Sequence, residues 1–190
     1  MTWYIDETKH YPIIDEIEKK QTDRGAAIMA AALLEGYLLK AIGTRLFVEG
    51  EYNNNIRKQF CGIDGALGSF GSRIHAGFLL GLYLQDAHSD LQSIARIRNY
   101  FAHRSRVLTF EHQDIKRLCK QFILIRRIAH AQMMTTAKSG SPPPTINKIA
   151  TFVNNQPMRW QFIRTVQVII GLLIKQTSQP PPLPTLPTPF

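Results

Sequence analysis

An arginine, an asparagine and a histidine fall close together near the middle of the chain, in Leu91–His103 (LQSIARIRNYFAH). Together these types are sufficient for metal-free chemistry at a phosphodiester. A histidine that titrates near neutrality can take or give a proton. An arginine can hold a phosphate through two parallel N–H bonds and stabilise the charge that develops on it. Arg98 and His103 are therefore candidate catalytic residues, and Asn99 joins them as a group able to orient the imidazole or bind a phosphate oxygen. With RNA as substrate, a ribose 2′-OH would attack the adjacent phosphorus and leave a 2′,3′-cyclic phosphate. The spacing sets a condition. In an unbroken helix Arg98 and His103 point about 140° apart, so either the helix loosens near Ala102 or two chains share the site.

The element that carries these residues is itself amphipathic. Leu91, Ile94, Ala95, Ile97, Phe101 and Ala102 share one broad apolar arc at helical spacing. Arg98 falls near the centre of that arc, where a guanidinium requires a carboxylate or a ring of acceptors. Glu35 is the only charge between Gly25 and Leu39, on a helix apolar nearly all round, and is the first expected partner; Asp23 is the second. A purely structural alternative follows, in which Arg98 pairs with Glu35 inside the bundle and His103 caps a helix end beside Arg104.

Every other long segment also has helical periodicity. A weakly amphipathic helix is expected around Pro12–Lys20, with Pro12 in its first turn and Ile13, Ile14 and Ile17 as its stripe. Thr22 or Asp23 can cap a helix reaching about Ile42, thin at Ala26, Ala27, Ala30, Ala31 and Ala32 and bulkier at Leu33, Leu34, Leu38 and Leu39. Residues 43–66 have the composition of irregular loop. Ser69 opens the next helix, with Ile74, Phe78, Leu79 and Leu82 facing inward; the Gly68-Ser69 turn is either a phosphate cradle or only a turn. Asp86 starts the helix holding the candidate site. One long helix is expected from about Glu111 to Met134, followed by a Lys138–Thr145 linker and helices at Ile146–Asn154 and Met158–Gln176, broken at Pro157. No stretch alternates like a strand. The expected fold is an all-α bundle of about six helices, its core made by the second to fifth. Its domain runs over 22–176, after a docking arm at 1–21 and before a disordered proline-rich tail at 177–190.

Composition narrows the function classes. The chain has 190 residues and a formal net charge of +9, which favours anionic partners such as nucleic acid or an acidic protein. No run of lysine and arginine concentrates that charge. Cys61 and Cys119 have no metal-ligand spacing, and the histidines form no H-E-x-x-H pattern, so no metal or cofactor is expected. The N-terminus has acids where a signal peptide carries basic residues, and the apolar run Val168–Ile174 is far short of a membrane span. The expectation is a cytoplasmic protein without a membrane partner.

Arg98-Asn99-Tyr100-Phe101-Ala102-His103 resembles the Arg-Asn…His signature of the HEPN (higher eukaryotes and prokaryotes nucleotide-binding) superfamily of helical domains, many of them metal-independent ribonucleases. A wider set of residues is similar to the mannitol operon repressor-like family, which has a HEPN-like fold. It comprises Asp23-Arg24-Gly25-Ala26-Ala27-Ile28, Gly65-Ala66-Leu67-Gly68-Ser69-Phe70, Arg73-Ile74 and Leu80-Gly81-Leu82. The resemblance spans roughly Thr22 to Gln176. It implies a HEPN-like bundle and a homodimer whose cleft would hold two copies of Arg98 and His103. The whole-chain likeness implies a regulatory protein, and the intact Arg-Asn…His implies a metal-independent endoribonuclease. No helix-turn-helix is present, so regulation would run through a protein or RNA partner and not through base reading. A nucleotide-binding module without turnover is a third possibility.

Overall fold

The helix that occupies the centre is the last one. Met158–Ser178 carries Phe162, Ile163, Val166, Ile169, Ile170 and Leu173 at helical spacing, and Gln161, Thr165 and Gln167 are buried with them. A helix apolar nearly all round must be enclosed by others. The computed structural model describes residues 11–46, 51–104, 107–136 and 145–178, and its described residues form helices without a strand. In chain order these are α1 (Tyr11–Lys20), α2 (Asp23–Leu46), α3 (Glu51–Cys61), α4 (Phe70–Leu79), α5 (Gln85–His103), α6 (Gln113–Cys119), α7 (Leu124–Thr136), α8 (Ile146–Asn154) and α9 (Met158–Ser178).

The most extensive packing joins α2 to α9. Asp23 meets Arg159 at one end of the pair, and Arg45 donates to Gln176 at the other (2.9 Å), so the two helices run in the same direction. Ala26, Ala27, Ala30 and Ala31 are buried and allow this close approach. α4, α5 and α1 cover other sides of α2. A row of phenylalanine rings crosses the core, Phe101 to Phe110 to Phe162 to Phe122, with centroids 5.1, 5.3 and 6.4 Å apart. The all-helical expectation therefore holds, but the core is not made by the segments before residue 134 alone; α9 is its axis.

Three local expectations are corrected. First, the 43–66 segment is not all loop. α2 runs on to Leu46, and α3 follows, with Ile56 and Phe60 largely exposed. Second, the single helix expected over Glu111–Met134 is two, α6 and α7, separated by a turn at Lys120–Ile123. Asp90 of α5 causes the break: its carboxylate accepts from the backbone amides of Ile123 (2.9 Å) and Leu124 (2.9 Å), capping α7 from outside. Third, α4 ends at Leu79, leaving Leu79 84% exposed and Phe78 half-exposed, whereas Ile74 and Leu82 are buried as expected. The chain turns there through Gly81, which has φ +68. α2 is also long and apolar enough to cross a membrane by length and composition alone. Eight of its residues are buried in the bundle. The expected linker and proline-rich tail lie largely outside the described residues.

Candidate functional site

α5 delivers the candidate residues to one end of the bundle. Leu91, Ile94, Ile97 and Phe101 are fully buried, Arg98 is half-buried, and Asn99 and His103 are exposed. Arg98 Nη1 donates to Asn99 Oδ1 at 3.0 Å, and no carboxylate pairs with Arg98 among the described residues. The expectation of an Arg98–Glu35 or Arg98–Asp23 pair is therefore corrected. Exposed Asn99 and Ala102 flank Arg98 on the helix surface, and the long arginine stem can carry its head toward solvent. The buried charge on this helix is Asp90, which is 1% exposed. The sequence did contain a signal for it. Asp90 lies four before Ile94 and seven before Ile97, inside the stripe.

The two expected partners of Arg98 are held by other arginines. Glu35 Oε1 accepts from Arg73 Nη1 at 2.7 Å, while Arg73 Nε donates to the Leu67 carbonyl (2.7 Å) and Nη2 to that of Cys61 (3.3 Å). Arg73 thus ties the turn after α3 to α2. Asp23 Oδ1 accepts from Arg159 Nη1 at 3.0 Å, and Oδ2 accepts from the Phe110 amide at 2.9 Å. Arg159 Nη2 donates to the carbonyls of Ile17, Glu18 and Gln21, which close the end of α1. The Gly68-Ser69 turn is occupied by its own backbone. Ser69 Oγ accepts from the Ser72 amide at 3.0 Å as the cap of α4, and a Cβ on Gly68 would collide with the Ile63 carbonyl.

Around His103 the surface is basic. Arg104 lies over the Tyr100 ring at 4.7 Å, and its carbonyl accepts from Arg24 Nη2 at 2.6 Å, joining the start of α2 to the end of α5. α5 is continuous through His103, so within one chain Arg98 and His103 diverge along the helix. Loosening near Ala102 does not occur. No group of three or more metal-ligating side chains is found among the described residues.

No protein-family model matches the chain, and no curated protein matches it in sequence. A solved structure does. The X-ray structure of the MtlR–HPr complex from Escherichia coli contains a chain similar to this one over 88% of this chain and 99% of that one, with a TM-score of 0.60 and 15% sequence identity. The likeness is one of fold, and it covers nearly the whole of the MtlR bundle.

Proposed function

We propose that this chain is a regulatory protein of the MtlR type that works by docking a protein partner. One observation carries the reading: the bundle matches, over nearly its full length, a protein whose structure was determined in a complex with HPr. The net charge of +9 agrees with an acidic face on the partner. The mannitol operon repressor-like resemblance of the sequence points to the same class. Titration calorimetry with Escherichia coli HPr as the probe tests it. The expected result is one-to-one binding that weakens as salt is raised. No heat of binding at high micromolar concentration would remove the reading.

The exposure of His103 and Asn99 beside Arg98 favours a second reading, a metal-independent endoribonuclease of HEPN type working as a homodimer. Because α5 stays helical through His103, the site would need Arg98 and His103 from two chains. Incubation with mixed RNA in EDTA tests it. Cleavage should leave a 2′,3′-cyclic phosphate, vanish in Arg98→Ala and in His103→Ala, and partly return when the two variants are mixed. A monomer in solution, or unchanged cleavage by His103→Ala, would exclude it.

A further inference from the structure

Two imidazoles from different helices meet where α4 turns back into α5. His75 Nδ1, on α4, stands 3.2 Å from His88 Nε2, on α5. The two are 13 positions apart in sequence, so no ligand-spacing pattern joins them. His75 is exposed and His88 half-buried, so the pair is open to solvent on one side. Among the described residues neither ring has another hydrogen-bond or ion-pair partner. His88 lies near the start of α5, about 22 Å along the helix from His103.

The frame around the pair is firmly tied. Tyr83 Oη donates to the Ile74 carbonyl at 2.6 Å, and the Leu82 amide donates to that of Gly77 at 3.0 Å. The residues on either side of His75 in α4 are thereby bound to the connection that leads into α5. A Cβ on Gly77 would come within 2.6 Å of Tyr83 Oη, so the connection packs directly on α4. The Phe78 ring lies 4.7 Å from the His88 ring and forms one wall of its place.

The distance decides what the pair can do. Imidazole binds zinc at about 2.0–2.1 Å in a tetrahedron, whose edge is then about 3.3–3.4 Å. The observed 3.2 Å agrees with that edge to within about 0.2 Å. As a hydrogen bond between two nitrogens it is a long one. Each neutral ring carries one N–H and can place it on either nitrogen, so both facing lone pairs are freed by tautomer exchange without loss of a proton. Burial, and then the charge of His75, lower the pKa of His88. That keeps the ring in its ligating form at neutral pH.

We propose that His75 Nδ1 and His88 Nε2 bind one divalent transition-metal ion, with zinc the best fit to their spacing and water in the remaining positions. Two nitrogen ligands select this class over magnesium or calcium, which take oxygen. No group of three or more ligating side chains forms among the described residues, so the site is an open one whose metal exchanges with solution. When bound, the ion pins α4 to α5. This inference is independent of the docking reading, since it is read without HPr.

The test uses the untagged full chain, stripped with EDTA and dialysed, with zinc chloride as the probe and magnesium chloride as the control. Zinc should bind saturably and one-to-one and raise the thermal unfolding midpoint until the site is full. It should also move the ring 15N resonances of His75 and His88 and leave those of the other histidines in place. Magnesium should do neither. Binding should weaken at least about tenfold in His75→Ala and in His88→Gln, which keeps a hydrogen-bonding side chain, and stay unchanged in His130→Ala. It should also fade below about pH 6, as the rings take up protons. If a substituted chain fails to fold, the ring resonances of the wild type decide. Equal zinc binding by wild type, His75→Ala and His88→Gln, unmoved resonances at His75 and His88, or no saturable binding up to about 1 mM zinc would each overturn the proposal.

Discussion

Asp90 keeps a carboxylate where water does not reach it. Burial pushes its pKa up to about 6 from an ordinary 3.8, against the opposing pull of the Leu124 and Ile123 amides. Between those values the native state holds a proton that the unfolded chain releases. The contribution of Asp90 to stability is therefore greatest below about pH 4 and declines as pH rises to about 6, by about 3 kcal/mol for a shift of that size. Asp90→Asn, permanently neutral, should lack this dependence. The difference in unfolding free energy between wild type and variant, measured by urea titration from pH 4 to pH 7.5, should move against the wild type up to about pH 6 and then level off. A constant difference would show that Asp90 is ionised throughout. Arg159 is the other residue on which several segments converge. Arg159→Ala strands Asp23 and uncaps α1 together, and should destabilise the fold by about 3 kcal/mol. A loss below about 1 kcal/mol in the same titration would assign α1 to its apolar contacts, Ile14 and Ile17, alone.

Among the elements, those with a strong apolar stripe and a punctuating residue were legible. α1 starts at Tyr11 with Pro12 in its first turn, Ser69 caps α4, α5 ends at His103, and Pro157 separates α8 from α9. The Arg98 environment was not legible, because helical spacing gives the direction in which a side chain leaves the helix but not where a long stem carries its charged head. Nor was the α6–α7 break, since its cause, Asp90, lies 33 positions away in sequence. Arg73 illustrates the same limit: Glu35 stood out as a lone acid, but nothing local indicates which arginine reaches it. Arg73 satisfies Glu35, Leu67 and Cys61 through three separate nitrogens, which the single ammonium of lysine cannot do. In Arg73→Lys, amide hydrogen exchange should speed up in residues 61–69 and remain slow in α9. Unchanged exchange in that turn would mean that its backbone bonds, Leu67 to Phe60 and Gly68 to Gly65, hold it unaided.

For the molecule as a whole, the pairing of α2 with α9 has a consequence during synthesis. α2 is completed at Leu46, and its principal partner begins only at Met158. At about 5–20 residues per second, the wait is on the order of ten seconds. Throughout it, a helix apolar enough for a bilayer is outside the ribosome without the surface that covers it. The nascent chain is thus a natural client for a holding chaperone, and a natural error for insertion machinery. Ribosome-bound chains stalled before Met158 should be cut by protease within α2, and chains released after Ser178 should be protected there. Equal protection of the two would show that α4 and α5 shelter α2 on their own, and that the last helix joins a domain already closed.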